Sequence, residues 1–206
     1  NNIINKIINI IDPKKGDDIL EIGPGRGAMT IPLSKYVNTI TAIEIDPLLT
    51  EYLNNKKITN LKIINIDILK ININQQQKYK IIGNLPYYIS SPIIFKFLNY
   101  TNWDEMIIMV QKELAERIIS KPQNKSYSRI SVLIQTFCKI EDIYPISKNV
   151  FNPKPKVDSC IIKLKRNNIN YNIDKYSNFI KQCFSQRRKK LKNNLKKNSL
   201  LLPKYF

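Results

Sequence analysis

Histidine is absent from this sequence of 206 residues. Its absence removes the commonest general base in enzymes, and with it every Ser-His or Cys-His arrangement for nucleophilic catalysis. Any chemistry that this chain performs must therefore need little proton shuttling by side chains.

Cysteine and long apolar runs are scarce as well. The three cysteines, Cys138, Cys160 and Cys183, are far apart and form no CxxC pair. Without such a pair and without histidine, we expect no metal site, and a disulfide framework is disfavoured in a chain of this length. The sequence also lacks any apolar run of roughly 18 residues, so we expect no membrane-spanning helix.

Acidic residues are few relative to basic ones. Lys and Arg number 34 against 16 Asp and Glu, which gives a formal net charge of +18. A field of this sign attracts polyanions, so nucleic acid is the favoured partner, although a lysine-rich composition alone would also produce it. With 43% hydrophobic residues, the chain can bury one full α/β domain and support a small appendage.

Short apolar runs alternate with helical patterns along most of the chain. This alternation predicts a doubly wound, mostly parallel α/β sheet. Strands are predicted at 19–22, 39–45, 61–66, 79–82 and 106–110, with a late strand at 160–164 that we place antiparallel at the sheet edge. Helices are predicted at 3–11, 28–36, from 47, at 91–100 and at 128–137. From about residue 171 the pattern is helical and includes the basic run QRRKKLKNNLKK, so we divide the chain into domains 1–168 and 169–206.

The segment EIGPGRG, residues 21–27, connects a predicted strand to a predicted helix. Glycines at such a turn allow the backbone to approach a ligand and expose N–H groups at the helix start. The spacing alone also fits nicotinamide and flavin binders, or a tight turn without a ligand.

Two acidic residues strengthen the interpretation as a ligand site. Glu44 ends the second strand, 19 residues after Gly25, where a carboxylate accepts hydrogen bonds from a ribose diol. Asp67 follows the third strand, where an acceptor could meet an adenine amino group. Each residue taken singly is equally well explained as a turn or helix cap. Together, at the carboxyl ends of neighbouring strands, they favour a cofactor that contains adenosine.

The segment GNLPYYIS, residues 83–90, follows the fourth strand. Proline has no N–H to extend a sheet, so the ladder must stop near Pro86. The remaining Asn84, Tyr87 and Tyr88 form a stiff platform suited to a flat ring with polar edges. Tyr88 is expected to pack in the core.

With these motifs, the sequence resembles the ribosomal RNA adenine dimethyltransferases, which transfer methyl groups from S-adenosylmethionine to the N6 of adenines in small-subunit rRNA. The resemblance covers nearly the whole chain and is carried, in family order, by EIGPGRG, IEID, NID, GNLPYYISSP, QKELAERI, YSRISVL and VFNPKPKVDS. It implies a Rossmann-like methyltransferase sheet followed by the start of a small helical domain that binds rRNA.

The resemblance also implies three groups of site residues. The catalytic group is Asn84, Leu85, Pro86, Tyr87 and Phe151. The cofactor-binding group is Gly23, Gly25, Glu44, Ile45, Asp67, Ile68 and Asn84. The RNA-binding group is Lys156, Arg187, Arg188, Lys189 and Lys190.

The implied chemistry agrees with the absence of histidine. An adenine amino group is a weak nucleophile because its lone pair is delocalised into the ring. The side-chain oxygen of Asn84 and the carbonyl of Leu85 would accept its two hydrogens and direct the lone pair at the methyl group. Tyr87 and Phe151 would stack on the base, which must leave the RNA stack to react. Because sulfonium is already an activated leaving group, positioning supplies most of the acceleration.

Other interpretations remain open at this stage. A large-subunit rRNA methyltransferase of the antibiotic-resistance type has similar motifs, and a non-catalytic transcription factor shares the fold. The expected partner is small-subunit rRNA or a pre-ribosomal particle, bound by a monomer in a bacterial-type cytoplasm or an organelle. Relatives carry a segment before residue 1 that closes over the cofactor, and they continue beyond residue 206. We therefore expect the chain as given to fold but to methylate weakly.

Overall fold

Seven strands form one mixed sheet in the computed structural model, which describes residues 2–73, 76–151, 153–169, 171–186 and 188–195. The strands are β1 (Asp18–Ile22), β2 (Thr39–Glu44), β3 (Leu61–Asn65), β4 (Tyr79–Asn84), β5 (Trp103–Gln111), β6 (Cys138–Ile146) and β7 (Ser159–Arg166). Their order across the sheet is β3-β2-β1-β4-β5-β7-β6. The first five pair in parallel, and β7 runs antiparallel to both of its neighbours. The predicted α/β class and the predicted antiparallel strand are confirmed.

The predicted position of the antiparallel strand at the sheet edge is wrong. β7 is an inner strand, because β6 pairs outside it and occupies the edge. The sequence of β6, CKIEDIYPI, contains charged residues and Pro145, which look unlike a strand core. An edge strand tolerates both features because one of its sides needs no ladder partner.

The helices pack on both sides of this sheet. They are α1 (Asn2–Ile11), α2 (Thr30–Leu33), α3 (Pro47–Asn54), α4 (Ser90–Asn99), α5 (Lys112–Ile119), α6 (Arg129–Phe137), α7 (Ile173–Cys183) and α8 (Leu191–Leu195). α3 begins at Pro47 as predicted, after Asp46 accepts the N–H of Leu48 at 2.8 Å. α2 is shorter than predicted. After Leu33, the N–H groups of Lys35 and Tyr36 donate to carbonyls three residues earlier, as in a 3₁₀ helix, and not four. Within the described ranges, no helix combines the length and apolar character needed to cross a membrane.

Consecutive strand residues point alternately into two hydrophobic clusters. On β4, Ile81 belongs to the larger cluster with Trp103 and Phe97, whereas Ile82 belongs to the cluster that includes Ile11. This alternation buries both faces of the central strands, which explains their continuous apolar runs.

Helix α7 belongs to the same core as the sheet. Ile180 is buried in the larger cluster, and Tyr176 and Phe179 pack against it. The side chain of Arg129 on α6 also donates to Ser177 at 2.6 Å. The domain boundary at 168/169 stays a prediction, but the first helix after it packs on the preceding domain.

Candidate active site

The carboxyl ends of the parallel strands bring the predicted motifs into one row. Ile22, the last residue of β1, is opposite Ile43 on β2 and Gly83 on β4. The residues that follow these three positions are Gly23, Glu44 and Asn84. The N–H of Gly23 donates to the carbonyl of Ile43 at 2.9 Å, which fixes the glycine turn against β2.

The first two glycines of the turn leave space beside Asn84. Gly23 and Gly25 have φ angles of +66° and +58°, a region that side chains rarely allow. A Cβ at Gly23 would be 4.0 Å from the Asn84 carbonyl oxygen, and one at Gly25 would meet no atom within 4 Å. Gly27 differs, because a Cβ there would be 2.6 Å from the Leu53 side chain. The first two glycines therefore face open space, whereas the third allows α3 to pack closely.

Glu44 holds the glycine turn in place. Its carboxylate accepts the N–H of Gly25 at 3.1 Å and the N–H of Asp46 at 3.0 Å, and the residue is only 6% exposed. The turn-capping interpretation of this residue is thus part of its role. Each carboxylate oxygen has a second lone pair, so the group can still accept hydrogen bonds from a ligand.

Asp67 organises the loop after β3. One carboxylate oxygen accepts the N–H of Leu69 at 2.8 Å. Lys96 on α4 donates to the carbonyls of Leu69 and Ile71 at 3.0 and 2.6 Å, and burial lowers the pKa of its amine. The loop that carries Asp67 is therefore fixed to α4 by a charged donor.

The two isoleucines predicted to bind the cofactor are in contrasting environments. Ile45 is 68% exposed directly after Glu44, so it offers an apolar surface at the row of strand ends. Ile68 is 7% exposed and packs in the larger core cluster, so its side chain is far less accessible.

Asn84 is the last residue of β4, and its side chain is exposed. Leu85 follows with its side chain buried, and its N–H donates to the Met109 carbonyl at 3.1 Å. The Pro86 carbonyl then accepts the Ser90 hydroxyl at 2.9 Å, at the start of α4. The strand ladder thus stops near the proline as predicted, and Asn84 is followed directly by backbone that these hydrogen bonds fix.

Two tyrosines continue this loop in different ways. Tyr87 is 37% exposed, and its hydroxyl is 3.0 Å from the hydroxyl of Ser159. Tyr88 is 85% exposed, so its expected place in the core is wrong. Phe151 is half-buried against the smaller core cluster and lies between β6 and β7, whose adjoining ends pair Ile146 with Ser159. Ser159 also pairs with Gln111 at the carboxyl end of β5. Phe151 therefore lies, like Asn84, at the end of the sheet where the parallel strands finish.

Glu21 is a candidate site residue that the sequence analysis did not single out. It is 3% exposed on β1, and its Oε2 has no hydrogen-bond partner among the described residues. Burial raises its pKa to about 7, the Thr30 hydroxyl opposes this shift, and the charge of Glu44 adds to it. A carboxylate within the apolar strand sequence DILEI was the available signal. Such a group favours a ligand that brings positive charge and hydrogen-bond donors.

The predicted RNA-binding residues form two separate groups along the chain. Arg188, Lys189 and Lys190 are exposed between α7 and α8 and line an open surface cavity of about 610 Å³. Lys156 is exposed in the segment that carries Phe151. Arg187 lies outside the described residues.

The polar groups at the carboxyl ends of the parallel strands suit an organic cation rather than a metal ion. Glu21, Glu44 and Asp67 supply acceptors, and the first two glycines leave an open face beside them. Across the part of the chain that the structure describes, no group of three or more His, Cys, Asp or Glu residues could hold a metal. The arrangement can bind a ligand carrying hydroxyl and amino groups next to an amide-lined edge.

Comparisons with known proteins agree with this geometry. The model of the family "Ribosomal RNA adenine dimethylase" matches residues 1–201. A curated protein of Wigglesworthia glossinidia brevipalpis, named "Ribosomal RNA small subunit methyltransferase A", is 47% identical over 95% of this chain and 79% of its own length. The protein of the same name from Legionella pneumophila is 41% identical over 94% of this chain and 79% of its own length.

Two solved structures extend the comparison. A dimethyladenosine transferase from Plasmodium falciparum superposes with a TM-score of 0.85 at 32% identity and covers 97% of this chain, which spans 74% of that protein. The 23S rRNA methyltransferase ErmE superposes with a TM-score of 0.76 at 25% identity, covering 96% of this chain and 82% of its own.

Proposed function

The chain belongs to the ribosomal RNA adenine dimethylase family, and we propose that it is a methyltransferase whose active site lies at the carboxyl ends of the parallel strands. There it would transfer methyl groups from S-adenosylmethionine to N6 of two adjacent adenines near the 3′ end of small-subunit rRNA. The protein is an rRNA adenine dimethyltransferase of the small-subunit type. The observation that carries the proposed site is the open glycine turn beside Asn84. Even a Cβ added at Gly23 would come no closer than 4.0 Å to the Asn84 carbonyl oxygen.

The residues at this edge fit S-adenosylmethionine part by part. Glu44 would accept the ribose hydroxyls, and Asp67 would accept the adenine amino group, with Ile45 and the backbone near Ile68 beside the ring. Gly23 and Gly25 would lie along the methionine portion, whose ammonium group matches the unpaired Glu21 oxygen. When bound, this cofactor supplies a methyl group already activated by a sulfonium leaving group.

Asn84 and Leu85 would orient the adenine for transfer. The Asn84 side-chain oxygen and the Leu85 carbonyl would each accept one N6 hydrogen, so that the nitrogen lone pair points away from both. Leu85 is well placed for this role because its buried side chain and its bond to Met109 fix the backbone. These two acceptors would hold the amine in one orientation and would not transfer a proton, which agrees with a chain that contains no histidine. The product proton would pass to water.

Tyr87 and Phe151 would hold the base in this position by stacking. The Tyr87 ring is partly exposed at the end of the platform, and Phe151 is in the segment joined to the same edge. A nucleotide that leaves the RNA helix gives up its stacking on neighbouring bases, and stacking on aromatic side chains compensates for that cost.

The target is tested directly by mapping the methylated adenines. Small subunits from cells that lack adenine dimethylation would be incubated with the protein and S-adenosylmethionine, and rRNA would be analysed by primer extension. We expect two adjacent dimethylated adenines near the 3′ end, because the relatives at 40–47% identity are named for the small subunit. Large subunits lacking their own adenine methylation provide the matched control. Methylation of large subunits alone would contradict the assignment.

The basic segment between α7 and α8 is proposed to contact rRNA phosphates. Its exposed cations, Arg188, Lys189 and Lys190, surround an open cavity and would position the substrate without reading its sequence. Lys156, near Phe151, would add a contact beside the active site. Arg187 is assigned to the same group by its place in the sequence.

Replacing Lys189 and Lys190 by Gln should weaken binding to small subunits and make it less dependent on salt. Removing each phosphate contact lowers the slope of log affinity against log salt by about 0.7 to 0.9. The matched control is Lys15→Gln with Lys35→Gln. It removes the same charge from exposed positions that precede the amino ends of β1 and β2, away from the proposed active site. Equal slopes for the two double variants in filter-binding assays would argue against the proposed contact.

The cellular setting follows the substrate. We propose action on small-subunit rRNA or its precursor particle in a bacterial-type cytoplasm, a proposal supported by the bacterial origin of the curated relatives. The monomeric state stays a prediction.

A further inference from the structure

The hydroxyl of Tyr87 has a partner in a distant part of the chain. It is 3.0 Å from the hydroxyl of Ser159, which is 72 residues further along and completely buried at the start of β7. The Tyr87 ring itself is 37% exposed. A side chain whose base is set by the Pro86 turn and whose tip is bound to a buried group has little freedom to rotate.

The residue before Ser159 fixes the segment that carries Phe151. The Asp158 carboxylate accepts the N–H of Lys148 at 2.9 Å, and the Asp158 carbonyl accepts the N–H of Lys112 at 3.0 Å. The loop from 147 to 159 is therefore closed at its base and attached to the end of β5. Asp158 and Ser159 thus connect the Phe151 loop and the Tyr87 ring to the same end of the sheet, where β5 finishes.

We propose that Ser159 is a positioning residue for base stacking, and that with Asp158 it sets the placement of the Tyr87 ring relative to the Phe151 loop. The proposal rests on the stacking role of Tyr87 in the proposed function. It assigns a purpose to the Tyr87 hydroxyl, which stacking alone does not need, since a phenyl ring offers the same face to a base.

The proposal has a chemical consequence for binding and turnover. Without the hydroxyl pair, the ring would sample orientations in which the adenine amine is misaligned with the methyl donor. Misalignment lowers the turnover number of an enzyme that works by positioning, while cofactor binding at the other strand ends is unaffected.

The test is a double-mutant cycle on methyl transfer to undermethylated small subunits. Tyr87→Phe and Ser159→Ala should each lower kcat by about tenfold, from the loss of one hydrogen bond and of alignment. The double variant should be no slower than either single variant, because both remove the same interaction. S-adenosylmethionine affinity by calorimetry should be unchanged in all three. Tyr36→Phe is the matched control, since it removes a hydroxyl from an exposed tyrosine that precedes β2 and lies outside the proposed site, and it should keep full turnover.

The outcomes separate this inference from the proposed function. Full turnover by Ser159→Ala and Tyr87→Phe, with Tyr87→Ala impaired, would overturn the positioning role and leave the stacking role standing. Full turnover by Tyr87→Ala would overturn both. Losses that multiply in the double variant would also overturn the inference, because the two hydroxyls would then act independently. If Ser159→Ala unfolds, Tyr87→Phe still decides, because it changes one hydroxyl on a partly exposed ring.

Discussion

Asn84→Ala should lower methyl transfer by about 10² to 10³-fold, the loss typical for removing one preorganised hydrogen-bonding group from an active site. The substitution removes the side-chain acceptor proposed for the adenine amine. The Asn84 carbonyl beside the glycine turn and the Leu85 bond to Met109 belong to the backbone, so the shape of the cofactor site should persist.

Single-turnover kinetics on undermethylated small subunits would measure this loss, and calorimetry would measure S-adenosylmethionine binding by the same variant. We expect binding within about twofold of the unmodified chain, as for changes that affect only the transition state. Asn54→Ala, an exposed amide in the last turn of α3, is the control. A normal rate for Asn84→Ala would refute its placement beside the amine. Loss of cofactor binding would show that Asn84, which the resemblance also places in the cofactor-binding group, acts mainly through the cofactor.

Glu21→Gln should change how the stability of the ligand-free protein depends on pH. The pKa of Glu21 is raised to about 7 in the folded state, from an ordinary value of 4.5, chiefly by burial. Between these values the unfolded chain releases its proton first, so folding stability falls as pH rises from about 4.5 to about 7. This decline amounts to at most roughly 3 kcal/mol, and the Gln variant should lack it.

Urea unfolding at several pH values would measure the effect, with Glu51→Gln, which changes an exposed carboxylate on α3, as the control. The same Gln variant should bind S-adenosylmethionine more weakly, because a neutral amide cannot pair with the ammonium group. If the variant and the unmodified chain lose stability equally between these pH values, the buried carboxylate is not the titrating group.

The sequence contained enough to predict the row of strand ends. EIGPGRG, Glu44 and GNLPYY each follow an apolar run, and parallel strands bring such ends to one edge by geometry alone. The order of the strands was not readable in this way. β6 was missed because its charged residues and Pro145 are allowed only by its edge position, which is a property of the assembled sheet.

Side-chain environments were predicted less well than strand ends. Tyr88 was expected in the core, yet the turn after Pro86 leaves it exposed. The carboxylate of Glu21 within an apolar strand was a signal that was overlooked, but the influence of Thr30 and Glu44 on its pKa depends on the fold. The bond between Tyr87 and Ser159 joins positions 72 residues apart, and only the fold brings them together.

The most direct test of this account is a structure of the protein with S-adenosylhomocysteine and adenosine monophosphate bound. We predict that the adenine N6 lies within hydrogen-bond distance of the Asn84 side-chain oxygen and the Leu85 carbonyl, with its ring against Tyr87. The cofactor product should occupy the row from Gly23 through Glu44 to Asp67. An adenine bound elsewhere, or an Asn84 side chain directed away from the cofactor sulfur, would contradict the central claim.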